Sequence, residues 1–209
     1  NDDAGTLLRS VLEGEGIDTS HLRTVSVPTG RAFINVDSHG ENEIVVVAGA
    51  NAQVGFEDKF VIPNSRVVLA QLEVPLETIE MAFTQARSNG AVTVLNPAPA
   101  RDIPASLLSL ANIVVPNETE SVAIGGTKQL LQSGVATVVT TLGADGASID
   151  TASSTTHIAP YKVTPVDTVG AGDAFIGATC AELSLGSSIE DAARIGAIAG
   201  ALATTVKGA

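Results

Sequence analysis

From about residue 66 the sequence alternates short apolar runs with segments of helical periodicity. The apolar runs occupy 67–73, 92–96, 112–117 and 136–143, and helical spacing lies between them at 75–90, 105–110 and 127–134. Strands that are apolar throughout are typical of a parallel sheet covered on both faces by helices. The alternation therefore predicts an α/β fold with a mainly parallel central sheet, in a chain long enough for one domain.

Different segments flank this alternating region. A helix is predicted at 3–15, with Asp2 or Asp3 as its cap, and Leu7, Leu8, Val11 and Leu12 on one face. Two β-rich runs at 31–37 and 42–49 enclose a turn at 38–41 and predict a hairpin whose edges need a partner. A second small β segment is predicted at 147–150 and 156–163, followed by helices at 172–185 and 189–205.

Composition excludes several classes of function. The net charge of −12 argues against binding of nucleic acid or of anionic membrane surfaces. An acidic chain can hold polyphosphate only locally, through backbone amides, helix N-termini and a metal ion. Cys180 is the single cysteine, so an internal disulfide is impossible. The apolar runs are far shorter than a membrane span, and we expect a cytoplasmic protein.

Polar residues follow each predicted strand of the sheet. In order along the chain they are Glu73, Asn96, Asn117 with Glu120, and Thr140 and Thr141 with Gly143. Ligands of open α/β sheets bind beyond the carboxyl ends of the strands, so this rim is a candidate site. Strand ends are also polar simply because loops are solvated. His21, His39 and His157 follow no metal-ligand spacing, and we expect surface roles for them.

The strongest local signal is DTVGAGDAFIGA at 167–178. Gly170, Ala171 and Gly172 permit a tight turn that aims successive amides at one point, and Asp173 follows in the first turn of a helix. Amides at a helix N-terminus bind anions, and a carboxylate beside them can accept a proton from an attacking hydroxyl. Asp173 could instead serve only as a helix cap. A dinucleotide-binding motif fails at Phe175, and no P-loop occurs.

The motif DTVGAGDAF resembles the signature of the ribokinase (PfkB-type carbohydrate kinase) family. AGAN (48–51), QLE (71–73), LNPAPA (95–100), PNETE (116–120), TLGADG (141–146) and VKGA (206–209) occur in that family's order. The resemblance covers essentially the whole chain. It implies a three-layer α/β/α sandwich formed by one kinase domain over 1–209, with 31–48 as part of a β lid that closes over the sugar and forms a homodimer interface.

The resemblance also implies roles for individual residues. Asp173 would be the catalytic base, Gly170, Ala171 and Gly172 the anion hole, and Glu73 a sugar contact. ATP would contact Asn117, Gly172 and a turn that consists of Thr141, Leu142, Gly143, Ala144, Asp145 and Gly146. Glu120 would organise the Mg²⁺ region through water. K⁺ would bind Asp167 and the carbonyl of Val169, with the backbone near Ala203, Val206 and Gly208.

The sequence departs from the family pattern in three places. The N-terminal part with a sugar-binding aspartate and a glycine-rich motif is absent, as is the segment after VKGA, and the region between Glu120 and Gly134 is shorter than expected. We therefore expect an incomplete domain, with activity in a longer parent protein.

The implied activity is transfer of a phosphoryl group from ATP to the 5-hydroxyl of D-ribose, with a small sugar and ATP as partners. The alternatives are a kinase for fructose, another ketose or a nucleoside, and a non-catalytic sugar or nucleotide sensor. A sensor does not need Asp173 beside an intact anion hole, which argues against that reading. Phe175 stands where the dinucleotide-binding motif requires its third glycine, which argues against a dinucleotide-dependent oxidoreductase.

Overall fold

The structure is a computed structural model that describes residues 2–36, 42–55 and 62–208, without the side chains of 34–36 and 42–44. The turn predicted at 38–41, with His39, lies outside the described residues. The chain divides into two compact units, Asn1–Asp58 with Glu73–Thr78, and Lys59–Leu72 with Ile79–Ala209.

The first unit contains helix α1 (Asp3–Gly14) and a two-stranded antiparallel sheet of β1 (Arg31–Val36) and β2 (Asn42–Val47). Asp2 caps α1, because its Oδ1 accepts a hydrogen bond from the Gly5 amide at 2.8 Å. The same carboxylate accepts bonds from the amide and the hydroxyl of Thr29. These donors hold the pKa of Asp2 well below its usual range and fasten the start of α1 to the segment before β1.

Apolar side chains of the first unit remain exposed. No residue of α1 is buried. On its predicted apolar face Leu7, Leu8 and Val11 are exposed, whereas Leu12 is partly buried. In the hairpin, Phe33 lies directly opposite Val45, and both are about half exposed. In the described part of the chain no third strand joins β1 and β2. The predicted antiparallel pairing of the two strands is confirmed.

The second unit is built on a six-stranded sheet in the order β3-β4-β5-β6-β7-β8. Its strands are β3 (Val67–Gln71), β4 (Val92–Asn96), β5 (Ile113–Val114), β6 (Thr137–Thr141), β7 (Ala147–Thr151) and β8 (Thr155–Ile158). The pairs from β3 to β6 are parallel, and β7 and β8 add antiparallel strands at one edge. The mainly parallel sheet is as the alternating pattern predicts.

Helices cover the two faces of this sheet. The connecting helices are α2 (Leu76–Ser88), α3 (Ala105–Leu110), α4 (Glu118–Ala123) and α5 (Gly126–Gln132). Successive parallel strands advance in one direction across the sheet, so crossovers of one hand place these helices on one face. On the other face, Phe175 and Ile176 of α6 (Ala171–Leu185) and Ala193 of α7 (Ile189–Ala203) pack into a core cluster with sheet residues. The predicted three-layer architecture is confirmed.

The structure corrects two details of the element prediction. The small β segment predicted at 147–163 forms β7 and β8, which pair onto the main sheet through β6. Its second strand ends at Ile158 and not at 163, because Pro160 has no amide hydrogen to extend the ladder. Helix α4 was not predicted, and α5 begins just after it, at Gly126. Gly125 and Gly126, both at positive φ, join the two.

None of the helices in the described ranges is long and apolar enough to cross a bilayer. Within the same ranges, no three or more His, Cys, Asp or Glu side chains come together in a group that could hold a metal ion.

Candidate active site

The glycine-rich turn and the helix after it form the centre of the candidate site. Gly170 adopts a left-handed conformation, with φ of 75°, and α6 begins at the next residue. Only glycine takes this conformation without steric cost, so the turn depends on Gly170. Among the described residues no side chain caps α6. The helix therefore begins with open amides instead of the usual Ser, Thr or Asp cap.

Two amides of the first turn have no backbone acceptor among the described residues. The Ala174 amide donates to the Gly170 carbonyl at 2.9 Å, and the Ala171 amide reaches Thr168 at 3.3 Å. Within the described chain, the amides of Gly172 and Asp173 have no such bond. Both residues are exposed, as is the Asp173 carboxylate on the same turn. Open amides at the positive end of a 15-residue helix suit a phosphate group.

Asp167 organises the segment that leads into this turn. One of its carboxylate oxygens accepts the Val169 amide at 3.0 Å, and the other accepts the Gly208 amide at 3.1 Å. These two amide bonds, helped by the charge of Lys207, lower the pKa of Asp167 below its usual range. The Asp167 amide itself donates to the Thr204 carbonyl at the end of α7. The segment before α6 is thus tied to the segment after α7.

Some of the residues implied for a monovalent cation are therefore hydrogen-bonded to one another. Asp167, Val169 and Gly208 are joined by the carboxylate of Asp167, and the Ala203 carbonyl receives the Val206 amide at 3.5 Å. Each oxygen that accepts one amide bond retains a further lone pair. Carboxylate and carbonyl oxygens are suitable ligands for a hard cation, so these residues fit the ion.

The rim of the sheet brings Asn117 and Thr141 together. Asn117 forms a parallel bridge with Thr141, and the Thr141 amide donates to the Pro116 carbonyl at 2.9 Å. Asn96, at the end of β4, uses its side-chain amide to bond the Val115 carbonyl at 3.0 Å. Asn96 therefore fastens two strand ends to each other, which is a structural role, whereas Asn117 is exposed at the rim.

Asn117 and Glu120 form a capping box at the start of α4. The Oδ1 of Asn117 accepts the Glu120 amide at 2.7 Å, and a Glu120 carboxylate oxygen accepts the Asn117 amide at 2.9 Å. The box leaves the side-chain NH₂ of Asn117 and the second oxygen of Glu120 available. Glu120 uses one carboxylate oxygen in the capping box, and the other suits contact with Mg²⁺ through water. Mg²⁺ at nucleotide sites is held mainly by phosphates and water.

A tight turn over 142–146 follows β6. The Leu142 amide donates to the Gly146 carbonyl at 2.8 Å, and the Asp145 amide donates to the Leu142 carbonyl at 3.0 Å. Gly143, Ala144 and Asp145 are exposed, whereas Gly146 is buried. The turn lies directly beyond Thr141, so Asn117 and this turn occupy neighbouring positions on the same rim.

The sequence also singles out Glu73, Thr140 and Cys180. Glu73 belongs to the first unit, in the turn before α2, where it is exposed. Thr140 is buried in β6, and among the described residues its hydroxyl has no hydrogen-bond partner. Cys180 is partly buried, and burial raises the pKa of its thiol to about 11, so it is a poor nucleophile at neutral pH.

Two features of the site were missed by reasoning from the sequence. The capping box at Asn117 had a signal, since Asn followed three residues later by Glu is typical of a helix start. The Thr204 carbonyl, which receives the Val166 and Asp167 amides, had none, because any residue type can supply a carbonyl. His157, expected to have a surface role, is exposed but contacts the carbonyl of Asp145.

Comparison with known proteins gives one consistent result. Residues 1–209 match the family model described as pfkB family carbohydrate kinase. The chain is 44% identical over 185 residues to a ribokinase of Staphylococcus aureus, which covers 80% of this chain and 61% of that protein. It is 37% identical over 226 residues to a ribokinase of Haemophilus influenzae, which covers 100% of this chain and 74% of that one.

A solved structure shares the same architecture. Arabidopsis thaliana ribokinase, complexed with ribose and ATP, matches with a TM-score of 0.88 and 28% identity over 100% of this chain and 74% of that one. The chain thus spans 61% to 74% of the length of these three proteins.

Proposed function

We propose, from the premise that this chain belongs to the pfkB family of carbohydrate kinases, that the protein is a sugar kinase. It transfers the γ-phosphoryl group of ATP to the 5-hydroxyl of D-ribose. The observation that carries this proposal is the uncapped start of α6, where the amides of Gly172 and Asp173 open beside the Asp173 carboxylate. The names of the relatives support ribose as the acceptor.

The chemistry assigned to α6 is in-line phosphoryl transfer. The sugar hydroxyl oxygen forms a bond to the γ-phosphorus while the bond to the bridging oxygen of ATP breaks and ADP leaves. The proton of the hydroxyl passes to the Asp173 carboxylate. The Gly170–Gly172 turn and the first-turn amides stabilise the negative charge on the transferred group, as preorganised donors do.

The nucleotide is assigned to the rim beyond β5 and β6. Asn117 offers its side-chain NH₂ after its Oδ1 has capped α4, and the turn at 142–146 supplies backbone groups beside it. This assignment agrees with the rule that ligands of parallel sheets bind beyond the carboxyl ends of the strands. Glu73 is assigned to the sugar, and the hairpin of β1 and β2 to a lid that also forms a homodimer.

Two cations complete the proposal. Mg²⁺ bound with ATP would neutralise phosphate charge, with Glu120 reaching it through water from the capping box. K⁺ would bind the Asp167 carboxylate with nearby backbone carbonyls and steady the turn that precedes Gly170. The oxygen donors at Asp167 fit such an ion, and the assignment predicts stimulation by potassium.

The test is an ADP-release assay on the full-length protein with ribose, 2-deoxyribose, fructose and adenosine, each with and without potassium. We expect turnover with ribose, stimulated by potassium, and a phosphate ester on the 5-oxygen of the product by phosphorus NMR. If only fructose or only adenosine supports turnover, that compound would replace ribose as the proposed acceptor. Binding of ATP without turnover on any acceptor would support a sensor and contradict the proposal.

A further inference from the structure

Among its own residues, the turn at 142–146 is held only by backbone hydrogen bonds. It contains one short 3-10 segment, Gly143–Asp145, with no side-chain cap among the described residues. Its internal bonds are backbone bonds between Leu142, Gly143, Asp145 and Gly146, and three of its five residues are exposed. A short exposed turn of this kind is expected to fray unless other parts of the chain restrain it.

One such restraint comes from β8. His157 pairs with Ser148 across β7 and β8, and its Nε2 lies 2.9 Å from the carbonyl oxygen of Asp145. A carbonyl oxygen can only accept a hydrogen bond, so Nε2 must be the donor and a neutral ring carries its proton there. The bond spans 12 positions in sequence and links the turn to a strand of the sheet.

The end of β8 provides a second restraint. Gly146 is buried against the backbone that follows His157, and a Cβ at Gly146 would collide with the Ile158 carbonyl and lie 2.8 Å from the Pro160 nitrogen. Ile158 itself is 1% exposed and belongs to the core cluster. The same short segment therefore holds the turn at two points, by close packing at Gly146 and by a hydrogen bond at Asp145.

The two restraints act on different parts of the turn. Packing at Gly146 fixes only the end of the turn, where it enters β7. The bond from His157 fixes the Asp145 carbonyl, and with it the orientation of the peptide between Asp145 and Gly146. A binding loop that is ordered before the ligand arrives avoids the entropy cost of ordering on binding.

We propose that His157 is a positioning residue that holds the 142–146 turn in its nucleotide-binding conformation. His157 acts through the Asp145 carbonyl and not by contact with the nucleotide. The inference rests on the proposed function, because it assumes that this turn lines the ATP site.

Two variants of the full-length protein test the inference. His157→Phe keeps an aromatic ring but removes the donor, and His157→Gln restores an N–H donor at a similar reach. Thr155→Val is the matched control, because Thr155 is also exposed on β8 but donates to Asp150 instead of the turn.

The first readout does not depend on activity. By hydrogen exchange, the amides of Leu142, Asp145 and Gly146 should exchange faster in His157→Phe than in the wild type, with His157→Gln close to the wild type. Equal exchange in all of the proteins would overturn the inference, because the bond would then not restrain the turn.

The second readout is nucleotide affinity. In His157→Phe we expect the Kd for ADP and the KM for ATP to rise about 3- to 10-fold, as the loss of one net hydrogen bond implies, with the KM for the sugar unchanged. Partial recovery in His157→Gln is expected. If His157→Phe binds nucleotide as tightly as the wild type, or if its KM for the sugar rises as much as its KM for ATP, the inference is overturned while the proposed function stands. A wild-type protein that binds no nucleotide would overturn the proposed function as well.

Discussion

Two buried threonines of the central sheet differ in the partners of their hydroxyl groups. Thr93 in β4 is 0% exposed, and its Oγ1 lies 2.6 Å from the Leu110 carbonyl and accepts the Asn112 amide at 3.0 Å. Thr140 in β6 is 7% exposed, and its Oγ1 has no partner among the described residues. A buried hydroxyl without a partner costs free energy, whereas one in a network contributes to stability.

Replacing each of these threonines with valine, which has nearly the same shape, should change stability in opposite directions. Thr140→Val is expected to raise the free energy of unfolding by up to about 1 kcal/mol, because it removes the unpaired hydroxyl. Thr93→Val should lower it by about 1–3 kcal/mol, because the Leu110 carbonyl loses the hydroxyl group that it bonds. Urea denaturation of the full-length protein measures both, and a loss of stability in Thr140→Val would contradict the account.

The pH dependence of stability should contain a contribution from Asp167. Its pKa is lowered in the folded protein, so the charged form is favoured by folding, and its stabilising effect is fully present above about pH 4, the ordinary range of an aspartate. The effect is lost as the pH falls through the lowered pKa.

Asp167→Asn should therefore have a lower urea midpoint than the wild type at pH 7, and the difference should shrink in acid. Asp102→Asn, at an exposed aspartate, is the charge-matched control and should show no such difference. A deficit in Asp167→Asn that stays constant from pH 7 into acid would show that the carboxylate charge is not the cause.

The packing of α6 on α7 positions the start of α6. A Cβ at Gly200 of α7 would lie 2.9 Å from the carbonyl oxygen of Ala171, and one at Gly196 would lie 2.8 Å from that of Phe175. Glycine at these positions lets the two helices approach more closely than any side chain would allow. Because Ala171 belongs to the turn that we propose to hold the transferred phosphoryl group, the depth of this packing should affect the site.

Gly200→Ala should therefore lower kcat by at least about tenfold, since displacements of about 1 Å at a catalytic group carry costs of that order or larger. Gly177→Ala in α6 is the matched control, because no atom lies within 4 Å of its added Cβ. The control should keep its kcat and gain about 0.5–1 kcal/mol of stability from the better helix former. Unchanged kcat in Gly200→Ala would contradict this role for α7.

The sequence was informative about elements with strong periodicity. The strands at 67–73 and 92–96 are mostly apolar and separated by a helical segment, so the pattern alone indicated strands of a parallel sheet. The antiparallel attachment of β7 and β8 did not follow, because short alternating strands can pair within any sheet. The bond from His157 to Asp145 was equally hidden, since strand register sets which side chain reaches a distant carbonyl.

For the candidate site, predictability depended on the kind of atom involved. Side chains with defined chemistry, such as Asp173 and Asn117, could be named from their motifs. Backbone groups outside the recognised motifs could not, and the carbonyl of Thr204 and the packing of Gly200 emerged only from the tertiary structure.

At the scale of the whole molecule, the first unit leaves apolar side chains exposed on a sheet that has only two strands in the described ranges. Phe33 and Val45 are 54% and 48% exposed. Exposed apolar side chains on an open two-stranded sheet are typical of an interface, and the proposed dimer would cover them.

The full-length protein should therefore sediment as a dimer, and Phe33→Glu should shift it toward the monomer. Leu185→Glu, at an equally open position near the end of α6, is the control and should leave the dimer intact. A wild-type protein that sediments as a monomer at micromolar concentration would contradict the dimer.

The central claim is that Asp173 accepts the proton of the sugar hydroxyl while the amides beside it hold the phosphoryl group. The most direct test is the ribose-dependent release of ADP by the wild-type protein and by Asp173→Asn, with ATP binding measured in parallel by calorimetry. The account predicts a fall in kcat of about 10²- to 10⁴-fold in the variant, with ATP affinity retained. A variant that turns over ribose as fast as the wild type would show that Asp173 is not the base.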